Sequence, residues 1–169
     1  MNPLSMKKLI IALILSVLTF CKFANGQIAS TTKFTNLSAR VTVVPGKPPI
    51  IGFVIAGKPN EQKQVLIRAV GGSLAQFGVP NPVKTPKISI YKANGTPFSF
   101  IRLGIERTKA QWDAFFAQLG AFPIGTDEVA MVSYDAGSME AGAYTIHISD
   151  VNNVGGEVLL EVYDANPTN

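Results

Sequence analysis

Two short apolar runs, separated by a polar loop, constrain what this chain can fold into. Residues 50–57 read IIGFVIAG and residues 65–74 read VLIRAVGGSL, with Pro59, Asn60 and Glu61 in the loop between them. Runs of this length, rich in Val and Ile and bounded by Gly and Pro, are typical of β-strands. We expect them to form a core hairpin or to be neighbouring strands.

Further runs of the same kind follow along the chain, each set off by turn residues. Residues 87–92 alternate between polar and apolar side chains, and Asn94-Gly95 is a strong turn signal before a returning strand at 98–103. Extended segments are also expected at 33–44, 128–134, 142–149 and 157–163. About eight short strands predict a mainly all-β fold, an antiparallel β-sandwich that is jelly-roll-like.

One segment, 108–119, has a helical pattern. Thr108 can cap it and Gly120 can end it. A stripe of large apolar side chains at helical spacing consists of Trp112, Phe115, Phe116 and Leu119. Such a stripe usually faces the core, although it can also serve as a ligand platform. We expect a short helix across one end of the sandwich.

The first 26 residues have the pattern of a secretory signal peptide. Lys7 and Lys8 precede an apolar run at 9–20, and Ala24-Asn25-Gly26 offers small residues at a cleavage site. Residues 27–169 are then a single secreted domain, in the periplasm, at the cell surface or outside the cell, with no membrane segment. A retained anchor and a lipoprotein cut before Cys21 are the alternatives, but the run is short for a membrane span and Phe20 is bulky for lipid attachment.

The charges argue against a nucleic-acid partner. The whole chain has a formal charge of +4, but Lys7, Lys8 and Lys22 leave with the signal segment, so the mature chain is close to neutral. No Lys or Arg follows Lys109, and most acidic residues lie beyond it. Either the surface is bipolar, or early and late strands interleave so that the two sets neutralise each other, which we favour.

Six segments of the chain, in order, resemble a domain of secreted bacterial proteins. They are residues 34–40 (FTNLSAR), 51–57 (IGFVIAG), 65–71 (VLIRAVG), 120–122 (GAF), 142–145 (GAYT) and 160–164 (LEVYD). The domain is found especially in large multidomain surface proteins of Verrucomicrobia and related groups. This chain departs from it at Gly72, where Pro is usual, and at 98–107, which lacks the usual Asn/Asp-rich approach to the Trp. The resemblance implies a β-sandwich module like those that accompany secreted enzymes and adhesins, and it offers no activity to carry over to this chain.

The residues provide no recognisable catalytic set. His147 is the single histidine, on the polar side of its strand without a nucleophile beside it, so a surface or edge histidine is expected. Asp127 and Glu128 are adjacent on a strand and point to opposite faces, unlike a glycosidase pair. Residues 71–73 (GGS) lack the lysine of a phosphate loop and are interpreted as a turn with special backbone angles. We therefore predict no enzyme and no cofactor.

The most specific candidate for a metal site is a match to a calcium-binding loop. Asp150, Asn152, Gly155 and Glu161 match positions 1, 3, 6 and 12 of such a loop, but Val154 offers no oxygen at position 5. Residues 157–163 are strongly strand-like, and a strand cannot bend Glu161 back around an ion. With a single His and no mature Cys, zinc is equally disfavoured. We therefore predict no metal site.

Secretion, a sandwich fold and the missing catalytic set favour a non-catalytic binding or accessory module. Its partner would be a surface polysaccharide or another envelope protein. The expected ligand face consists of Tyr91, Phe98, Phe100 and Trp112. The alternative is a structural or assembly protein of the envelope that acts through strand edges. An unrecognised hydrolase with a deep carboxylate pocket is the third hypothesis.

Two charges lie inside otherwise apolar strands. Arg68 shares a strand face with Leu66 and Val70, and Glu161 shares one with Leu159 and Tyr163. An unpaired buried charge costs several kcal/mol. We therefore predict that Arg68 and Glu161 form a structural ion pair that holds the strand register.

Overall fold

The structure is a computed structural model that describes residues 34–98, 108–125, 129–132 and 139–165, the third range by its backbone alone. The predicted signal segment 1–26 lies outside these residues. No helix in the described part of the chain is long and apolar enough to cross a membrane.

The described residues contain nine β-strands, one α-helix and one short 3₁₀ helix. The strands are β1 (Asn36–Val43), β2 (Ile50–Ile55), β3 (Gln62–Lys63), β4 (Val65–Val70), β5 (Pro86–Lys92), β6 (Val129–Val132), β7 (Met139–Glu140), β8 (Gly142–Asp150) and β9 (Gly156–Asp164). The 3₁₀ helix spans Gly72–Phe77, and helix α1 spans Lys109–Gln118.

The strands form two main antiparallel sheets and a small two-stranded one. The four-stranded sheet has the order β1-β9-β4-β6, the three-stranded sheet has the order β2-β8-β5, and β3 pairs with β7. Early strands thus pair with late ones in a nested series, β1 with β9, β2 with β8, β3 with β7 and β4 with β6. This nesting is typical of a jelly roll, and the predicted antiparallel β-sandwich is confirmed.

The core lies between the two main sheets. Buried side chains of β4 and β9, including Ile67 and Leu160, pack in one cluster with those of β5 and β8, including Ile90 and Ile146. Burial alternates along β5 and β8, so each of these strands turns one face to the core and one away from it.

A second apolar layer covers the outer face of the four-stranded sheet. Phe116 of α1 is buried in one cluster with Leu66, Val70 and Tyr163 of the sheet, and the other apolar side chains of the predicted stripe pack half-buried against it. β4 is therefore buried on both faces. The helix was expected across one end of the sandwich, but it lies on a sheet face because β4 and β9 present apolar side chains there.

The helix boundaries follow from local sequence. The Thr108 side chain accepts a hydrogen bond from the backbone N–H of Gln111, and the Gln111 side chain accepts one from the backbone N–H of Thr108. This reciprocal capping satisfies two N–H groups that have no partner within the helix. Gly120 follows at φ 71°, a conformation that glycine adopts without strain.

The expected hairpin of the two opening runs does not form. β2 lies in the three-stranded sheet beside β8, whereas β4 lies in the four-stranded sheet between β9 and β6. Both runs are apolar strands, as predicted, but β8 lies about 90 residues beyond β2 in sequence, and β9 and β6 lie about 90 and about 60 residues beyond β4. Apolar pattern identifies strands without identifying their partners.

Interleaving brings the cation-rich and acid-rich parts of the chain together. Arg40 pairs with Glu157 at 2.9 Å, Lys63 pairs with Asp164 at 2.8 Å, and Arg68 pairs with Glu161. Each pair joins an early strand to β9, the last strand of the structure. The favoured interpretation of the charge pattern, interleaved strands, is confirmed by the strand order.

Candidate functional site

The outward positions of the three-stranded sheet form a surface that we call the open face. They are Ile50, Gly52 and Val54 on β2, Ala143, Thr145, His147 and Ser149 on β8, and Lys87, Ser89 and Tyr91 on β5. None of them is buried, whereas Leu66, Arg68 and Val70 on the outer face of the other sheet are. Among the described residues, the open face is therefore partly exposed, whereas the outer face of the four-stranded sheet is covered by the layer that contains α1.

An aromatic pair lies in the middle of the open face. The rings of Tyr91 and His147 are tilted against each other with their centroids 4.5 Å apart. Oγ1 of Thr145 lies 3.4 Å from Nε2 of His147. Tyr91 is opposite Thr145 and Ser89 is opposite His147, so hydroxyl groups surround the two rings.

The space beside this pair is set by a glycine. Gly52 of β2 is opposite Thr145 on the other side of β8. Because Gly52 has no side chain, the face has a gap there, between the exposed side chains of Ile50 and Val54. The row formed by Tyr91, Thr145 and Gly52 thus crosses the face and ends at a position without a side chain.

The charge of the open face is weakly positive. Its outward positions, all within the described strands, include Lys87 and no carboxylate. His147 therefore has no acidic partner on this face that could orient it for acid–base work. Groups that donate and accept neutral hydrogen bonds predominate, which suits recognition of hydroxyl-rich or anionic molecules.

The structure does not bring the predicted ligand-face residues together. Tyr91 lies on the open face, but Phe98 packs edge-on against Tyr144 in the core between the sheets, with centroids 5.6 Å apart. Trp112 stacks on Phe116 at 5.5 Å in the layer beneath α1. Phe100 lies outside the described residues. Of the three described residues, only Tyr91 lies on the open face.

The candidate calcium loop is a capped turn. The Asp150 carboxylate accepts hydrogen bonds from the backbone N–H groups of Asn152, Val154 and Gly155 at 2.9–3.1 Å. Burial raises the pKa of Asp150, but these three donors together outweigh burial and lower it. Glu161, the proposed twelfth ligand, is buried against Arg68 instead. The turn therefore does not gather its oxygens around a cation.

No group of three His, Cys, Asp or Glu side chains within the described ranges could hold a metal ion. The acidic side chains that are described lie apart from one another or are engaged by arginine, lysine or backbone donors.

Arg68 and Glu161 lie directly opposite each other on β4 and β9. Nε of Arg68 donates to Oε2 of Glu161 at 2.8 Å, and Nη2 donates to the same oxygen at 2.5 Å. Nη1 donates to the backbone carbonyl of Phe122, and the Tyr163 hydroxyl donates to Oε1 of Glu161 at 2.8 Å. The side chains of both residues thus have all their main polar groups engaged.

Aromatic rings enclose the Arg68 guanidinium. Its central carbon lies 4.6 Å from the ring centre of Phe116, 4.9 Å from that of Phe122 and 5.7 Å from that of Tyr163. The side chain of Arg68 is completely inaccessible to solvent. A ligand therefore cannot reach this arginine, and its cation–π and ion-pair contacts act within the fold.

No protein-family profile, curated protein or solved structure matches this chain. The resemblance to a domain of secreted bacterial surface proteins stays a prediction.

Sequence reasoning missed the role of His147 as the neighbour of Tyr91. The alternation in residues 87–92 and 144–149 places both side chains on outward faces. It does not reveal that β5 and β8 are adjacent, with Ser89 opposite His147. The pair was therefore detectable only after the strand order was known.

Proposed function

We propose that this chain is a non-catalytic binding module that holds a surface polysaccharide on the open face. The observation that carries the proposal is the Tyr91–His147 pair, surrounded by hydroxyl groups on an uncovered sheet face. The predicted signal segment supports it, because polymers of the cell surface lie outside the cytoplasm.

The chemistry of the open face suits a sugar polymer. A pyranose ring has apolar C–H groups on its faces and hydroxyl groups around its rim. Tyr91 can pack against the apolar face, while Ser89, Thr145 and His147 offer hydrogen bonds to the rim. Lys87 adds a positive charge, so neutral and anionic polysaccharides both fit, and cationic ones do not.

The fold is compatible with this function without implying it. Jelly rolls include lectin domains among many unrelated proteins, so the analogy concerns architecture alone. The side chains of β5 and β8, rather than the fold, support polysaccharide binding.

A polymer-binding screen tests the proposal. The purified chain is run through gels that contain neutral or acidic polysaccharides, and positive hits are measured by calorimetry. Tyr91→Ala should weaken binding of a hit by about tenfold, because an aromatic contact contributes about 1–1.5 kcal/mol. His147→Ala should also weaken binding of that polysaccharide.

The matched control is Phe77→Ala. Phe77 is 60% exposed on the 3₁₀ helix, and its ring contacts Phe122, which lies beside Arg68 of the four-stranded sheet, so its removal should leave binding at the open face unchanged. The proposal is contradicted if no neutral or acidic polysaccharide is retained. It is also contradicted if Phe77→Ala weakens binding as much as Tyr91→Ala.

Assembly through strand edges is the second candidate function, and β2 favours it. Within the described residues, β2 pairs with β8 alone, and its sequence is apolar and uncharged. An open edge of this kind is a template for pairing with another chain.

A further inference from the structure

Among the residues that the structure describes, no strand pairs with the side of β2 that faces away from β8, and this side exposes backbone groups that can pair with another strand. The carbonyl of Pro49 accepts a hydrogen bond from the N–H of Ile148 on β8. Backbone groups of successive residues in a strand point to opposite sides, so Ile51, Phe53 and Ile55 also turn theirs towards β8. The N–H and C=O groups of Ile50, Gly52 and Val54 therefore point towards the open edge.

The features that usually protect a sheet edge are missing from β2. The edge strand β1 carries Arg40, and the edge strand β5 begins at Pro86 and carries Lys87 and Lys92. β2 reads IIGFVI, without charge or proline. Ile50 and Val54 are 59% and 73% exposed, although both are large and apolar. Charge, proline and short length are the common safeguards against edge pairing.

Sequence on either side limits how long a paired segment can be. Pro48 and Pro49 precede β2 and lack backbone N–H groups. At its other end, β2 is followed by a turn in which the Lys58 N–H donates to the Glu61 carboxylate. Pairing is therefore confined to Ile50–Ile55.

We propose that β2 pairs antiparallel with β2 of a second copy of this chain, with Gly52 opposite Gly52 of the second copy. In this register, Ile50 of each copy is opposite Val54 of the other. Outward side chains then meet outward ones, and inward side chains meet inward ones, as a continuous pleated sheet requires.

Self-pairing fits β2 better than a foreign peptide does. The strand carries no charge that would select or orient a different partner. It is self-complementary, since the two exposed apolar side chains flank a glycine and meet each other across a two-fold axis. Such a two-fold contact also closes on itself, so both free edges are satisfied in a dimer.

The proposed contact is short, and this sets its strength. Only six residues from each copy take part, well below the 20–30 residues a side of a standard interface. We therefore expect a dimer that exchanges with monomer as concentration changes.

Cysteine cross-linking tests the register. All variants are made in the full chain with Cys21→Ser, which removes its single cysteine. Gly52→Cys places two cysteines on opposed hydrogen-bonded positions, about 5.5 Å apart at Cα, which suits a disulfide. A Cβ at Gly52 has the Tyr144 carbonyl at 3.8 Å, an ordinary contact, so the variant should fold. It should form a covalent dimer under mild oxidation.

Val54→Cys is the matched control for this experiment. In the proposed register, Val54 is opposite Ile50 and far from Val54 of the second copy, so this single variant should stay monomeric on a denaturing gel. The double variant Ile50→Cys/Val54→Cys should cross-link. Efficient cross-linking of Val54→Cys alone would overturn the register.

Light scattering over a concentration series tests the edge itself. Val54→Lys should weaken dimerisation by about a hundredfold, because each dimer loses two apolar contacts at the edge. Val154→Lys is the control, since Val154 is 76% exposed in the turn after β8. A chain that stays monomeric at every concentration overturns the proposal, as does a dimer that survives Val54→Lys.

Discussion

Arg68 places a positive charge in the apolar layer between the four-stranded sheet and α1. Its ion pair with Glu161 joins two adjacent strands at directly opposed positions. A shift of β9 by one residue would turn Glu161 to the other face of the sheet and leave Arg68 unpaired. The pair thus penalises incorrect register more than it stabilises the correct one.

Removing one member of this pair should be costly, and removing both should cost less than the sum. Arg68→Met leaves the Glu161 charge buried, and we expect the free energy of unfolding to fall by about 3–5 kcal/mol. In a Glu161→Gln background, the same substitution should cost much less, as chemical denaturation of the four proteins of the double-mutant cycle would show.

The exposed pair Arg40–Glu157 is the control for this cycle. The Arg40 side chain is half exposed, so Arg40→Met should change the free energy of unfolding by about 1 kcal/mol or less. Equal losses for Arg68→Met in both backgrounds would show that the two buried residues are not coupled.

Tyr163 makes the stability of the fold depend on pH in the alkaline range. Burial, followed by the hydrogen bond to Glu161, raises the pKa of Tyr163 from 10.0 to about 12. The unfolded chain therefore releases this proton before the folded one. Its contribution to stability is fully present below pH 10 and is lost as the pH rises towards 12, at up to about 1.4 kcal/mol per pH unit. Urea unfolding between about pH 9 and pH 11 measures this slope.

Tyr163→Phe should reduce this slope while retaining the ring beside Arg68. Part of the dependence should remain, because burial also raises the pKa of Tyr144. An identical slope in the two proteins would assign the alkaline transition to other groups.

At the scale of elements, close packing of a neighbouring segment explains why a glycine follows β4. Gly71 and Gly72 were predicted to need special backbone angles; Gly71, at φ −126° and ψ −82°, lies outside the helix and strand regions, and neither glycine has a positive φ. A Cβ at Gly71 would lie 1.9 Å from the Val83 carbonyl oxygen, whereas a Cβ at Gly72 would meet nothing within 4 Å. The close approach of the segment before β5 therefore requires a glycine at position 71.

Substituting these two glycines should have very different effects. Gly71→Ala forces the backbone near Val83 to move and should lower the free energy of unfolding by about 3 kcal/mol. Gly72→Ala should stay within about 1 kcal/mol of the parent protein. Thermal unfolding of both variants checks the difference, and equal effects would show that the Val83 segment adapts.

The elements differ in how far sequence could predict them. Helix α1 was predictable because its cap at Thr108 and its apolar stripe are local. The strands were predictable from alternation, but β3 and β7, which are two residues long, leave no such signal. The ligand face could not be predicted from the sequence. Whether Phe98 or Trp112 is exposed depends on the sheet and the layer in which each side chain lies.

For the whole molecule, strand order explains the arrangement of charge. Strands from the cation-rich part of the chain, β1 and β4, lie on either side of the acid-bearing β9. Charges that are far apart in sequence therefore become neighbours on one sheet. The pairing of Arg68 with Glu161 could be proposed from sequence because burial demands a partner, whereas the open face required the order β2-β8-β5 itself.

The nested strand order also has a consequence for the timing of folding. The strands that β1, β2 and β5 pair with in the two main sheets are β8 and β9, which come last in the described chain. A nascent chain that has not yet reached residue 142 can complete neither sheet, however long it waits on the ribosome. Nascent chains arrested at that point should be digested by protease, and resistance should arise only once the last strand has left the exit tunnel.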